Sequence, residues 1–184
     1  KEAQKLGYAE LHPEADIEGH DAQRKIAILS SLAYGKHVDY KDVPTQGITN
    51  IDATDMEYAH KMGMKIKLLA TSQVTEAGTW AMVSPNLVGQ DNILFSVDDV
   101  LNAVFVQGNC LGPAMFYGSG AGSLPTASAV VGDVLDCAKN LHTTVKTDIT
   151  AEKLTLLPVD DVENIFFVRV KEGQDITPVF GEVE

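Results

Sequence analysis

The 184 residues hold 14 Lys plus Arg against 26 Asp plus Glu, a formal net charge of −12. That balance lacks the clustered cations that nucleic acid or an anionic membrane surface demands, so neither is an expected partner. With 45 % hydrophobic and 22 % charged residues the chain has the composition of a folded domain, and no apolar run approaches the roughly 18 residues of a membrane helix. Cys110 and Cys137 can form at most one bridge, and free thiols in a reducing cytoplasm are the simpler expectation. The opening Lys1-Glu2-Ala3-Gln4-Lys5 carries no hydrophobic signal core. It reads as the end of a helix already under way, stopped by Gly7, so the chain is expected to be a piece of a longer polypeptide.

In chain order, Ala22, Ile26, Leu29 and Ala33 recur at helical spacing over 19–34, and Gly35 supplies the stop. The stretch 36–52, broken by Pro44 and Gly47, reads as loop. A short helix over 53–62 ends at Gly63. Strands are expected over 64–74 and 79–83, joined by Glu76-Ala77-Gly78 and interrupted at Pro85-Asn86. Short apolar runs follow at 93–97, 103–107 and 114–117. A long helix over 125–141 carries Ala127, Val130, Val131, Val134, Leu135, Ala138 and Leu141 on one stripe. From about residue 142 acidic side chains dominate, as in a linker and the start of another module. The fold class is therefore α+β: a mixed β-sheet with packed helices.

Two segments can carry chemistry. In Gly19-His20-Asp21-Ala22-Gln23-Arg24-Lys25, Asp21 and Lys25 lie four residues apart and share one helix face. A carboxylate beside an ammonium can hold the lysine ready to pass a proton to an oxygen that becomes negative during reaction. Glu10 and Asp16 can converge on the pair from the preceding loop. The same spacing also decorates many solvated helices, where it contributes only about 0.3–0.5 kcal/mol.

The second segment is Phe116-Tyr117-Gly118-Ser119-Gly120-Ala121-Gly122-Ser123-Leu124-Pro125-Thr126. Its alternating glycines let backbone pass close to a flat ligand, and Pro125 suits the first turn of the following helix. The run is G-x-G-x-G, not the dinucleotide fingerprint, and a plain tight connection explains it equally well. His12, His20, His37, His60 and His142 show no metal-ligand spacing, so no metal is expected. Cys110 reads as a small buried residue, and Trp80 as core or subunit contact.

These segments resemble homoserine dehydrogenases. The likeness includes Gly7-Tyr8-Ala9-Glu10 with Asp16, then Gly19 to Lys25, Gly47-Ile48-Thr49, Ile66-Lys67-Leu68, and Phe116 to Gly122 followed by Pro125-Thr126-Ala127-Ser128-Ala129-Val130-Val131. It covers about residues 1–141. His20 departs from the family's usual apolar residue, and Leu11-His12 from a more acidic pair. The resemblance implies an NAD- or NADP-dependent enzyme that interconverts L-aspartate 4-semialdehyde and L-homoserine, on the way to threonine and methionine. It implies Lys25 as proton donor or acceptor, Glu10, Asp16, Asp21 and Tyr8 as substrate-binding residues, and Gly7, Gly120 and Gly122 against the cofactor. The cofactor would be held mainly by a nucleotide-binding domain before residue 1, toward which helix 125–141 returns. Residues 1–141 would be the substrate-binding and dimerisation domain of a homodimer, and 142–184 a linker with the possible start of a C-terminal regulatory module.

Two other readings stand beside this one: a non-catalytic dimerisation and regulatory module, and a dehydrogenase of a related amino-acid semialdehyde. Residues 1–184 by themselves are expected to show no dehydrogenase turnover, because hydride transfer needs a bound nicotinamide. Robust homoserine oxidation by the isolated chain would overturn the domain assignment.

Overall fold

A computed structural model describes residues 14–144 and 146–181. The first described element is a single helical turn, α1 (Glu14–Ile17), which leads through Gly19 into α2 (His20–Tyr34). Gly19 caps α2 in the left-handed region at φ 78°, and Gly35 closes it at φ 68°, its N–H bonding to Ser31 O. A two-residue strand β1 (Lys36–His37) follows, and then a strap through Val43, Pro44, Thr45 and Gln46. Helix α3 (Ala53–Lys61) begins at Asp52, whose carboxylate accepts the N–H groups of Thr54 and Asp55 while the Asp55 side chain accepts the Asp52 N–H. This reciprocal box satisfies donors that a helix start leaves free.

Strands β2 (Lys65–Thr75) and β3 (Gly78–Val88) form one antiparallel hairpin in register along its whole length, with Thr75 opposite Gly78 and Lys65 opposite Val88. β4 (Leu101–Gly108) and β5 (Gly112–Ser119) form a second. Helix α4 (Ser123–Lys139) comes next, and β6 (Thr150–Lys153) pairs in parallel with β1. A last short helix, α5, spans Thr177–Phe180. The α+β class is as expected. Among the described residues the strands are distributed over three two-stranded sheets, two antiparallel and one parallel.

Pro85 does not interrupt β3; it pairs opposite Leu68 within the strand. The reason lies in which edge lacks the donor. The Val83 N–H points away from β2 and bonds Pro44 O at 2.9 Å. Two residues on, Pro85 turns its missing N–H to the same outer side, the place a strand tolerates proline. The run 93–97 likewise departs from strand: Ile93–Ser96 make a 3-10 turn whose first N–H groups meet the Asn92 side chain, which accepts from Leu94 N.

The core lies between α2, the strap and the β2–β3 hairpin. Ala27, Val38, Val43, Ala81 and Val83 are buried together, with Ala22, Ile26, Leu68, Ala70, Leu154 and Leu156 packed against them. Packing thus continues past the acidic shift near residue 142, since Leu154 and Leu156 belong to this core. Two ion pairs clip β6 in place, Lys36–Glu152 and Lys153–Asp42, each at 2.6 Å. Farther along, the Arg169 guanidinium takes Asp52 in a two-pronged grip, both contacts at 2.7 Å. That cation holds the Asp52 carboxyl far below its usual range, and Phe167 sets its ring near Tyr58 on α3.

Two further expectations change. The buried face of α2 is rotated from the predicted stripe: Ala27, Ser30 and Ser31 face inward, while Leu29 and Ala33 are exposed. A search for apolar spacing passes over serines, yet small side chains let the helix approach the hairpin closely. Cys110 is exposed in the β4–β5 turn rather than buried, and Cys137 is exposed too; both are free thiols. The stripe on α4 is solvent-facing, with Val130, Val131, Val134 and Leu135 all more than half exposed. Trp80 is buried.

Adjacent serines on α2 are expected to respond oppositely to the same substitution. The buried Ser31 hydroxyl donates to Ala27 O at 2.7 Å and accepts the Val38 N–H at 2.9 Å. Ser31→Ala leaves that buried N–H unpaired and should cost about 1–3 kcal/mol. Ser30 Oγ is buried without a partner among the described residues, so Ser30→Ala should be neutral or stabilising. Urea denaturation of the two variants checks the contrast.

Candidate active site

The start of α2 carries the first group of candidate residues. Asp21 and Lys25 both point to solvent from one helix face, and Lys25 Nζ lies 2.6 Å from Asp21 Oδ2. The lysine side chain is 67 % exposed, so its ammonium remains open to a second partner on the solvent side. Asp16 sits on α1, three residues before Gly19, whose N–H bonds Asp16 O at 3.1 Å. This tight turn sets α1 and α2 end to end and brings Asp16 near the α2 start. Gly7, Tyr8 and Glu10 lie outside the described residues.

The turn is held from below by the strap. Gln23 Nε2 donates to Val43 O at 2.8 Å, and the Ile48 N–H to Ile17 O at 2.8 Å. Val83 and Thr45 pack so closely on Gly19 that a Cβ there would stand 3.1 Å from Val83 Cγ1 and 3.2 Å from Thr45 Cγ2. Glycine at 19 therefore answers two demands, the left-handed φ and the narrow gap.

Gly120 and Gly122 lie between β5 and α4. Gly122 opens α4 at φ 109° with no side-chain cap, and its carbonyl accepts the Thr126 hydroxyl at 2.8 Å. A Cβ on Gly118 would meet nothing within 4 Å, whereas one on Gly120 would strike the Asn102 amide at 2.5 Å. The backbone is open at Gly118, the Asn102 side chain occupies the space beside Gly120, and the uncapped helix start that follows fits an anionic cofactor group. Among the described residues no group of three His, Cys, Asp or Glu side chains is placed to hold a metal, and no helix is long and apolar enough to cross a membrane.

A lysine clasp ties the β3–β4 connection to β2, and the sequence offered only one cue to it, the Lys65-Ile66-Lys67 alternation that puts both cations on one face of β2. Lys65 reaches Asp98 at 2.5 Å and Phe95 O at 3.2 Å, with its ammonium 4.5 Å from the Phe95 ring centre. Lys67 reaches Asp98 at 3.1 Å and bonds Val97 O. The β3–β4 connection is thereby tied back onto β2, which orients the hairpin that carries the glycine loop. Lys65 foremost, and then Lys67, holds the Asp98 carboxyl below its ordinary 3.8.

Because that pKa is depressed on folding, the clasp contributes fully above about pH 4 and fades as pH falls below it. Asp98→Asn should therefore lower the melting temperature modestly above about pH 4, as expected for a solvent-facing group, and leave it unchanged at the acid end, where wild-type Asp98 is itself protonated, so that the profile flattens. Circular dichroism melts across the acid range provide the measurement.

A family model described as homoserine dehydrogenase matches residues 1–135. The homoserine dehydrogenase of Neisseria gonorrhoeae is 38 % identical over 191 aligned positions, covering 100 % of this chain and 44 % of the relative. That of Synechocystis is 49 % identical over 139 positions, covering 73 % of this chain and 32 % of the relative. The crystal structure of a homoserine dehydrogenase from Thiobacillus denitrificans superposes with a TM-score of 0.79 at 39 % identity, over 88 % of this chain and 39 % of that one. The chain thus spans less than half the length of these relatives.

Proposed function

The chain belongs to the homoserine dehydrogenase family, and we propose on that footing that it supplies the substrate site and the proton-relay lysine for interconverting L-aspartate 4-semialdehyde and L-homoserine. The observation that carries the reading is the Lys25–Asp21 contact at 2.6 Å, set at the mouth of a turn that also carries Asp16. NAD or NADP, when bound, supplies the hydride to the aldehyde carbon or takes it from the alcohol. Reduction leaves negative charge on the former carbonyl oxygen, and Lys25 donates a proton to it; in the oxidative direction the neutral amine takes that proton back. Asp21 keeps the ammonium aimed at this oxygen. Asp16, Glu10 and Tyr8 anchor the polar ends of the amino acid.

Gly120 and Gly122, with Gly7, would lie against the cofactor, most of which is bound by residues outside 1–184. The uncovered stripe of α4 and the exposed Phe116 and Tyr117 on β5 suit contacts with a nucleotide-binding domain and with a second subunit of a homodimer. The cytoplasm is the proposed location, on the strength of the two free thiols.

Homoserine-dependent reduction of NAD(P)⁺ by the complete protein tests the function; its absence defeats it. Within that enzyme, Lys25→Ala should lower kcat by about 10²–10⁴-fold with native circular dichroism retained. Asp21→Ala should also impair turnover, whereas Glu10→Ala should act more through homoserine KM. Wild-type kcat in Lys25→Ala would reduce the pair to a solvated ornament of the helix.

A further inference from the structure

Gly47 belongs to the 43–48 strap, remote in sequence from the turn that carries the chemistry, yet the two backbones touch. A Cβ built on Gly47 would stand 2.3 Å from Ile17 O and 2.5 Å from Glu18 Cα. Both are backbone atoms, so no rotamer change relieves the clash; one of the two segments must move. The strap is the more firmly held. Its Pro44 O accepts the Val83 N–H at 2.9 Å and its Gln46 N–H bonds Val83 O at 2.8 Å. Val43, 1 % exposed, anchors it in the core. The turn has less to resist with. It leans on the strap through the Ile48–Ile17 bond and, one helical turn into α2, through Gln23 and Val43 O at 2.8 Å.

From these contacts we propose that Gly47 is a positioning residue: its missing side chain fixes how closely the 16–19 turn approaches β3, and so where Asp16, Asp21 and Lys25 stand relative to the substrate. This rests on the function proposed above. A side chain at 47 pushes the turn outward and carries the start of α2 with it. Glycine's conformational freedom is not the issue here, since the crowding alone excludes a Cβ.

The test uses the complete enzyme. Gly47→Ala should raise homoserine KM and lower kcat, together about 10-fold or more in kcat/KM, the scale on which small misplacements of reacting groups act, while the nicotinamide KM stays unchanged. Gly63→Ala, at a left-handed φ of 69° beside Gln90, serves as the control: it should lower the melting temperature yet leave kcat and both KM values alone. Gln23→Met removes the second tie without adding a clash and should raise homoserine KM several-fold; it decides the matter should Gly47→Ala fail to fold. Wild-type homoserine kinetics in a folded Gly47→Ala, or in Gln23→Met if the former does not fold, overturns the proposal. So does a loss of activity that tracks only the folded fraction with both KM values unchanged. A complete wild-type protein without homoserine-dependent turnover would instead defeat the functional reading itself, which separates the two failures.

Discussion

The passage of one backbone against another, strap against turn, governs the N-terminal half of the described fold. Val83 sits at the centre of it. Its main chain binds the strap on one side, and its side chain closes on Gly19. The direction of α2 follows from that contact, because the helix starts at Gly19 and cannot tilt without opening the gap. Everything α2 presents to solvent is therefore set by a residue buried in β3, with no charged group involved. A hydrophobic core of modest size can hold such geometry because its parts are small: alanines, valines and serines allow separations that leucines would prevent.

The charged pair on α2 illustrates the division of labour. An exposed ion pair four residues apart contributes little to stability, so the fold neither needs it nor is distorted by it. The rigid support lies beneath, and the charged pair stands free above. The lysine clasp at Asp98 works differently. It joins two hairpins that share little apolar contact among the elements described, so electrostatics there substitutes for packing. Arg169 does the same for the C-terminal segment, gripping the carboxylate that also caps α3. Where the core ends, charge takes over the work of holding segments together.

Much of this was legible from residue order alone. The extent of α2, its glycine stops, the β2–β3 turn and the Asp21–Lys25 face all follow from spacing, because each depends on neighbours within a few positions. Misreadings came where a distant segment decided the outcome. Pro85 looked like a strand breaker until the edge it faces was known. Leu29 and Ala33 completed an apolar stripe, yet the adjoining Ser30 and Ser31 are buried instead, since close approach to the hairpin favoured small side chains. Cys110 is apolar in character but occupies a hairpin turn. The strap has no periodicity at all, and Gly47 stood in a recognisable motif without any local hint of what it touches. Asp21 with Lys25 could be placed on one face by counting; the turn that orients that face could not.

Pro85 has a further consequence for the life of the chain in a crowded cell. A strand edge with unpaired donors and acceptors invites a neighbour's strand, the first step toward aggregation. On β3 the outer edge is occupied at Val83 by the strap, and two residues on it meets a proline that has no hydrogen to offer. An incoming strand would find its register blocked at one point and a donor missing at the next. The longer of the two described hairpins is thus closed along that stretch to its own copies, including those still emerging from the ribosome.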